Sequence, residues 1–218
     1  MHLYILDVEK LEDPCSRPDW KDKMMEGRWD RIIRYFNLED RQAGAGAGLL
    51  LRYAFHREGI PFSGNSFSVG MHGKPYHHAR CFNLSHSGKY VVCVTGKEEV
   101  GCDIQKRKPV HDRIMSRFFT EEEQKYVQAA DDLKKEEYFT KIWALKESYM
   151  KMTGEGLTRN LQEISLHIED DIRIMDKEKE ADVHFIVQQL EEYIITVCAR
   201  EKEISVEYVN PHIIDNCL

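Results

Sequence analysis

The chain has 218 residues, of which 42% are hydrophobic and 32% are charged, and its formal net charge is −7. A chain of this length folds as one large domain or two small ones and buries about 70% of its unfolded surface, so wholesale disorder is excluded. The acidic balance disfavours nucleic-acid binding, which needs a basic field, and no apolar run reaches the roughly 18 residues of a membrane-spanning helix.

The start of the chain and its cysteines indicate the compartment. The segment MHLYILDVEKLEDP lacks the basic flank of a secretory signal. The six cysteines form no CxxC pair and most lie in apolar runs, so we expect buried, reduced thiols rather than a disulfide scaffold or a zinc site. They are Cys15, Cys81, Cys93, Cys102, Cys198 and Cys217. Together these features predict a cytoplasmic protein.

The hydrophobic pattern predicts a mixture of helices and strands. Predicted helices cover residues 19–36, 38–58 and 134–152. Predicted strands cover residues 2–8, 65–71, 81–84, 90–98, 100–105 and 162–168, and a hairpin joins 183–188 to 192–199. Thr120 followed by Glu123 predicts a helix start with a capping box.

The chain contains an internal echo. Residues 90–98 read YVVCVTGKE and residues 193–201 read YIITVCARE, and a predicted helix precedes each run. Such self-similarity predicts an α+β protein of two similar, pseudo-duplicated lobes, each a helix on a small, mostly antiparallel sheet. We place the N-terminal lobe at residues 1–100 and the C-terminal lobe at residues 101–218.

The first candidate functional segment is VGCDIQK at residues 100–106. In an extended run Asp103 and Gln105 point to one face, while Ile104 points to the other and anchors in the core. An ordinary strand end with solvated polar residues would show the same pattern.

The second candidate segment is the predicted helix KIWALKESYMKMTG at residues 141–154. Glu147 and Lys151 are spaced i, i+4 on the side opposite the apolar stripe, which by itself favours a surface ion pair. Trp143 lies one turn earlier on that side, which indicates that this face is covered.

The third candidate segment is HGKPYHHARCFNLSHSGKY at residues 72–90. Gly73 and Pro75 bracket Lys74 in a turn. The predicted strand CFNL leads into a loop, Ser85-His86-Ser87-Gly88, whose hydroxyls, imidazole and free N–H groups suit a phosphate. A polar hairpin turn is the alternative. A protease-like pair is disfavoured because adjacent Ser and His residues lack the required geometry.

Taken together, the three segments favour phosphoryl-transfer chemistry. The oxygen-bearing side chains of Asp103, Gln105 and Glu147 are suited to Mg²⁺. Positive charge for several phosphates comes from Lys74, Lys151, His86 and a cluster of Arg28, Arg31, Arg34 and Arg41. An oxygen-ligated metal among basic side chains provides the positioning and charge neutralisation that this chemistry needs.

The motifs FNLSHSGKY, VGCDIQ, FFTEEE and WALKESYMKMTGEGL, in this order, resemble those of the 4′-phosphopantetheinyl transferases of the long, surfactin-synthetase-activating type. The likeness runs from about residue 28 to about residue 208. It implies the two-lobed fold, with coenzyme A as substrate in the cleft between the lobes. It also implies transfer of the phosphopantetheine arm to a serine of an acyl or peptidyl carrier protein, with release of 3′,5′-ADP.

The resemblance assigns roles to residues of this chain. Asp103, Gln105 and Glu147 would hold Mg²⁺, with Mn²⁺ as an alternative, and Glu147 would also help to deprotonate the attacking hydroxyl. Asp103, Glu147 and Lys151 would thus be catalytic, with Lys151 on the transferring phosphate. The coenzyme A site would comprise Arg28, Arg31, Arg41, Lys74, Pro75, Ser85, His86 and Lys151.

The chain departs from the family pattern at two places. Gln105 replaces a glutamate of many relatives, which removes one negative charge from the metal site. Relatives often carry a basic residue just after the acidic pair that matches Glu39-Asp40, followed by a threonine. This chain has Arg41 and then Ala43 and Gly44 in an AGAGAG run, so the phosphate contact there is relocated or lost. Helix-interior glycines cost about 1 kcal/mol each relative to alanine, which favours tight packing or close approach of a ligand as their reason.

These observations leave three functional hypotheses. The first is a monomeric, magnesium-dependent transferase acting on carrier proteins. The second is a coenzyme A-binding protein without turnover, which Gln105 keeps open, and the third is a metal-dependent phosphohydrolase. A carrier surface is proposed at Lys106, Arg107, Lys108, Arg113, Met115, Arg117, Phe118 and Phe119, with a solvated loop over a core Phe pair as the alternative.

Overall fold

The computed structural model describes residues 1–156, 159–168 and 171–216. Its α-helices are α1 (Arg28–Ile32), α2 (Leu38–Arg57), α3 (Asp112–Phe118), α4 (Glu121–Gln128), α5 (Asp132–Thr153) and α6 (Pro211–Asn216). Its strands are β1 (His2–Asp7), β2 (Phe67–Val69), β3 (Pro75–His77), β4 (Cys81–Ser87), β5 (Tyr90–Gly96), β6 (Val100–Lys106), β7 (Ile164–Ile168), β8 (Ile172–Asp176), β9 (Lys179–Glu180), β10 (His184–Leu190), β11 (Tyr193–Ala199) and β12 (Ser205–Val209).

Seven of these strands form the two main sheets. The first sheet has the order β12-β1-β5-β4 and the second the order β10-β11-β6. All neighbouring pairs are antiparallel except β1 and β12, which run parallel. Strands β2 and β3 pair separately, and β7, β8 and β9 form a small outer sheet.

The two sheets pack face to face with one long helix outside each. Val91 and Cys93 of β5 join the apolar cluster of α2, whereas Cys198 of β11 joins that of α5. The alternate residues of the strands fill the space between the sheets, for example Val92 of β5 and Ile195 of β11. This helix–sheet–sheet–helix arrangement confirms the predicted α+β class with a helix on a small sheet in each half.

The internal echo corresponds to β5 and β11, in which every residue is buried. The two leading tyrosines, Tyr90 and Tyr193, meet edge to face with ring centroids 5.0 Å apart. The division of the chain at residue 100 stays a prediction. It does not account for β12, which belongs to the second half of the chain but lies in the first sheet.

Two predicted elements are wrong. Residues 19–36 do not form one helix, since a 3₁₀ helix (Pro18–Lys23) and α1 are separated at Gly27, whose φ is 72°. Ser85, His86 and Ser87 do not form a loop, because they pair with Val92, Val91 and Tyr90 of β5. The turn begins only at Gly88. By contrast, the capping box of Thr120 and Glu123 is present at the start of α4.

The glycines of the AGAGAG run allow close packing against α2. A Cβ at Gly46 would lie 2.4 Å from Cγ1 of Val8, and one at Gly44 would lie 2.9 Å from Cγ1 of Ile32. A Cβ at Gly48 would meet Cδ of Arg28 at 3.2 Å. Tight packing therefore accounts for the run, and the last of these contacts involves a residue of the site described below.

The cysteines are partly as expected. Cys93, Cys102 and Cys198 are buried free thiols, whereas Cys81 is half-buried and Cys15 is exposed. Cys15 lies in a short 3₁₀ turn (Pro14–Ser16) rather than in a strand, which explains its exposure. Cys217 lies outside the described residues.

Candidate active site

Side chains of β4 bind the backbone of β6 and so join the two sheets. The N–H groups of β6 donate from Cys102 to Asn83 Oδ1 at 3.1 Å, from Ile104 to Ser85 Oγ at 3.3 Å and from Lys106 to Ser87 Oγ at 3.0 Å. We call these three contacts the polar ladder. It holds β6, and with it Asp103, at a fixed register against β4.

Asp103 is the centre of a buried hydrogen-bond cluster. Its Oδ1 accepts from Lys151 Nζ at 2.6 Å and from Ser85 Oγ at 2.7 Å, and its Oδ2 accepts from Gln105 Nε2 at 2.8 Å. The residue is only 1% exposed. Burial lowers the pKa of Lys151, but the charge and hydrogen bond of Asp103 together with smaller contributions from neighbouring groups outweigh this effect, and the net pKa is raised. Lys151 therefore carries a positive charge at neutral pH.

Glu147 lies one turn before Lys151 on α5 and is 8% exposed. Burial and, to a smaller extent, the charge of nearby Asp103 raise the pKa of Glu147 to about 7, although the charge of Lys151 acts in the opposite direction. Glu147 and Lys151 thus do not form an isolated surface pair, because α5 is covered on this side by β6. A carboxylate with this pKa can accept a proton near neutral pH.

Three cavities with shared lining residues form one cleft along this surface. The first, of about 270 Å³, is lined by Lys74, Glu147 and Lys151. The second, of about 600 Å³, shares Pro75 and Asn83 with the first. The third, of about 400 Å³, shares Arg28, Arg31 and His86 with the second. The cleft therefore runs from an end lined by Glu147 and Lys151 to an arginine-rich end.

The arginine-rich end is built by α1 and the glycines of α2. Arg28 Nε donates to the carbonyl oxygen of Gly44 at 3.0 Å, and burial lowers the pKa of Arg28 to about 10, so its guanidinium stays charged at neutral pH. His86 reaches this end from β4. Desolvation by the cleft walls, followed by the charges of Lys151 and Arg28, lowers the pKa of His86. This end of the cleft suits an anionic ligand.

Most of the predicted site residues are brought together. Lys74 lines the cleft and its Nζ donates to Glu99 Oε2 at 2.5 Å and to the carbonyl oxygen of Met152 at 2.9 Å. Pro75 lines it beside Lys74. Ser85 faces Asp103, and its neighbour His86 faces the arginine-rich end because side chains alternate along β4.

Arg41 departs from the expected placement. Its guanidinium forms two hydrogen bonds to Asp13, at 3.0 and 2.8 Å, and two more to backbone carbonyl oxygens of residues 35 and 36. It lines none of the three cavities. Arg41 therefore links the start of α2 to the segments that precede it.

The expected carrier surface is partly core. Met115 and Phe119 are buried, and Phe118 packs edge to face on Trp143 with centroids 5.3 Å apart. The predicted cover of Trp143 is therefore Phe118. The basic residues Lys106, Lys108, Arg113 and Arg117 are exposed.

The sequence analysis missed two residues: Asn83, which lines the cleft, and Lys146, which is buried on α5 next to the site residue Glu147. Lys146 is fully buried, and its Nζ lies 2.6 Å from Glu123 Oε2 and donates to three carbonyl oxygens. A lysine on the apolar stripe that contains Ile142 was the available signal. Asn83 was also missed, although the alternation of polar residues with Phe82 and Leu84 marks it as facing away from the core of the first lobe.

The described residues contain no group of three or more His, Cys, Asp or Glu side chains that could hold a metal ion. In the same part of the chain no helix combines the length and apolar character that crossing a bilayer requires. Asp103 and Glu147 are neighbouring carboxylates whose charges interact at this end of the cleft.

The cleft combines an arginine-rich end with buried charged groups and so suits a phosphate-bearing ligand, and comparisons with known proteins identify the class. The model of the 4′-phosphopantetheinyl transferase superfamily matches residues 99–198. A 4′-phosphopantetheinyl transferase from Bacillus subtilis is 32% identical over 200 residues, which cover 87% of this chain and 89% of the relative. The chain belongs to the 4′-phosphopantetheinyl transferase superfamily.

Two further proteins are similar to this chain. The 4′-phosphopantetheinyl transferase psf-1 from Bacillus pumilus is 29% identical, with 100% of this chain and 97% of that protein covered. A crystal structure of a holo-(acyl-carrier-protein) synthase from Bacillus anthracis, in complex with CoA (3′,5′-ADP), is 20% identical with a TM-score of 0.40. The superposition covers 46% of this chain and 92% of that chain.

Proposed function

We propose that this transferase moves the 4′-phosphopantetheine arm of coenzyme A to a serine hydroxyl of an acyl or peptidyl carrier protein. The observation that carries the proposal is the cleft itself. Its arginine-rich end and its end with Glu147 and Lys151, the latter held by buried Asp103, meet in one continuous groove. A ligand with phosphates at both ends of a nucleotide fits this distribution of charge.

The nucleotide end of coenzyme A binds at the arginine-rich end. Arg28, Arg31 and His86 supply donors to the 3′-phosphate. Pro75 borders the nucleotide in the middle cavity, and Lys74 follows in the cavity that contains Lys151. Charge-assisted hydrogen bonds from arginine are among the stronger polar contacts in proteins. The pyrophosphate then lies towards Lys151, whose ammonium contacts the transferring phosphate.

The residues at the other end fit Mg²⁺. This cation is typically held by one or two carboxylates together with substrate phosphates and waters, and Asp103 with Glu147 provides such a set. Burial is the main cause of the raised pKa of Glu147 and repulsion by Asp103 the second, and a bound cation would relieve this repulsion. Gln105 now donates from Nε2 to Asp103, and rotation of its side chain would offer the amide oxygen as a third ligand. Mg²⁺, or Mn²⁺ in its place, would neutralise charge on the pyrophosphate when bound.

The transfer step is a displacement at phosphorus. The carrier serine Oγ forms a bond to the phosphorus of the phosphopantetheine arm, the bond from that phosphorus to the bridging oxygen breaks, and 3′,5′-ADP leaves. Glu147 accepts the proton of the serine hydroxyl, directly or through water. Lys151, held by Asp103 and Ser85, stabilises negative charge on the phosphoryl oxygens.

In this proposal the carrier protein docks beside the end of the cleft that is lined by Glu147 and Lys151. The exposed basic residues Lys106 and Lys108 lie three and five residues after Asp103 and complement the acidic surface typical of carrier proteins. Both lobes of one chain build the cleft, which favours a monomer, and the free thiols favour a cytoplasmic location. The net charge of −7 argues against a nucleic-acid partner.

Intact-protein mass spectrometry tests the proposal. An apo carrier protein is incubated with the enzyme, coenzyme A and Mg²⁺, and parallel samples omit the metal or contain Glu147→Ala. The expected result is a carrier heavier by one phosphopantetheine arm, dependent on metal and on Glu147. A carrier that stays unmodified with several carriers and with Mn²⁺ contradicts the proposal, and release of phosphate from coenzyme A without a carrier indicates a phosphohydrolase.

A further inference from the structure

The side-chain amide of Asn83 has a fixed orientation. The backbone N–H of Cys102 donates to Oδ1 at 3.1 Å, and this donor can pair only with the carbonyl branch of the amide. The Sγ of Cys102 lies on the same side, 3.7 Å from Oδ1. The Nδ2 group of Asn83 must therefore point away from β6.

The Nδ2 group of Asn83 faces the cleft without an acceptor in the described part of the chain. The residue is 8% exposed and lines both the cavity that contains Lys151 and the one that contains His86. Among the described residues, the fully buried side-chain atoms without a partner belong to Glu58, His77, Arg80 and Arg107. Nδ2 of Asn83 is not one of them, so this group is accessible, and the cavities that Asn83 lines are where a ligand can reach it. A nearly buried donor of this kind is stabilised by a ligand acceptor.

The position of Asn83 indicates which group of the ligand it contacts. It lies where the two cavities overlap, between Lys151 at one end and Arg28 at the other. The corresponding group of the next rung, the hydroxyl of Ser85, is already engaged by Asp103 and Lys151. Asn83 thus keeps a donor group for the ligand, whereas the hydroxyl of Ser85 does not.

We infer that Nδ2 of Asn83 donates a hydrogen bond to a phosphoryl oxygen of the coenzyme A pyrophosphate, on the phosphate that leaves with 3′,5′-ADP. This inference rests on the proposed function. Asn83 thereby acts as an uncharged binding residue for the phosphates, in addition to its place in the ladder. It links the register of β4 and β6 directly to the position of the substrate.

Asn83→Ser separates the two roles. Ser85 and Ser87 show that a serine hydroxyl accepts from a β6 N–H at the neighbouring rungs, so this variant keeps the ladder acceptor and removes Nδ2. Isothermal titration calorimetry compares 3′,5′-ADP with adenosine 3′-monophosphate, which lacks the 5′-phosphate. We expect about tenfold weaker binding of 3′,5′-ADP and less than threefold change for the monophosphate.

Two further variants complete the experiment. Asn83→Asp keeps the acceptor and places a carboxylate at the phosphate, and we expect about 100-fold weaker 3′,5′-ADP binding with little change in Tm. Ser87→Ala removes a rung that lines none of the three cavities and should leave both affinities unchanged. Equal losses for both ligands, or no loss for either Asn83 variant, overturn the inference. A wild-type protein that binds neither ligand contradicts the proposed function instead.

Discussion

The ammonium of Lys151 lies 2.6 Å from Oδ1 of Asp103, and this contact joins α5 to β6 at the floor of the cleft. Ser85 Oγ contacts both groups and adds β4 to the junction. The second oxygen of Asp103 is held by Gln105. The carboxylate is therefore oriented by side chains from three elements, which places it firmly beside Glu147.

Removing the carboxylate of Glu147 should abolish most of the transfer activity. Glu147→Gln keeps the shape of the side chain but loses the proton acceptor, and we expect a decrease in kcat of about 10²- to 10⁴-fold. The rate is measured by mass spectrometry of the modified carrier.

The matched control for this variant is Glu98→Gln, whose carboxylate is exposed, lies outside the cleft lining and pairs with Arg200. We expect its kcat to remain within threefold of the wild-type value. Transfer by Glu147→Gln at more than a tenth of the wild-type rate would contradict the assigned role.

Charge reversal on the exposed basic surface should weaken carrier recognition. Lys106→Glu combined with Lys108→Glu places two negative charges beside the acidic carrier, and we expect the carrier KM to rise at least about fivefold at low salt. The affinity for 3′,5′-ADP should not change. Steady-state kinetics with varied carrier concentration measures the effect.

Lys202→Glu provides the comparison, since Lys202 is exposed and follows β11 at the end that pairs with Val100, opposite to Lys106. A strand of this length places the two lysines about 20 Å apart. If Lys202→Glu raises the carrier KM as much as the double variant does, docking lies elsewhere or reflects net charge alone.

The buried pair of Lys146 and Glu123 should contribute strongly to stability. Their charged atoms lie 2.6 Å apart, and both side chains are almost fully buried. Lys146→Met leaves the carboxylate of Glu123 without its counter-charge, so we expect the free energy of unfolding to fall by about 3–5 kcal/mol. Urea denaturation followed by circular dichroism measures this loss.

Adding Glu123→Gln to Lys146→Met should restore part of the stability, because the second change removes the unpaired charge. The amide oxygen of the glutamine can still accept from the backbone N–H of Leu166 or Thr120. A double variant less stable than Lys146→Met would show that the carboxylate itself is needed.

Asp176 should make stability depend on pH in the acidic range. The hydrogen bonds from Arg159 lower the pKa of Asp176, and Tyr149 adds a hydrogen bond at 2.7 Å. A lowered folded-state pKa means that the contribution is complete above the unfolded value of about 3.9 and is lost as pH falls through the folded value. We expect Asp176→Asn to lower the unfolding free energy by about 2 kcal/mol at pH 7.

The difference between wild type and Asp176→Asn should shrink as the pH falls below about 4, because the wild-type carboxylate then becomes protonated as well. Thermal denaturation at several pH values gives this profile. A difference that stays constant from pH 7 to pH 3 would be inconsistent with the ion pair as its source.

The sequence predicted the parts of the site that depend on local periodicity. Alternation along residues 100–106 separated Asp103 from Ile104, and helical spacing placed Glu147 and Lys151 on one side of α5. The partner of Lys151 could not be found in this way, because Asp103 is 48 residues distant along the chain. Local spacing favoured a Glu147–Lys151 pair, whereas packing of β6 against α5 provides a closer carboxylate.

Long-range pairing also explains the wrong turn at Ser85–Ser87. Serine and glycine favour turns locally, but the backbone of these residues is paired with β5. At Arg41 the basic residue was noticed, yet its acceptor Asp13 lies 28 residues earlier. From the sequence it was thus easier to identify a functional type of residue than to find the contact that determines the role of that residue.

The parallel pairing of β12 with β1 has a consequence for how the protein acquires its structure. His2 pairs with Ser205, so the first sheet joins segments separated by almost the whole chain. Such a contact closes a long loop and raises the contact order, which slows folding. During synthesis the first sheet cannot be completed until β12 has been made. A fragment cut at residue 100 would expose the apolar edge of β1 to intermolecular strand pairing.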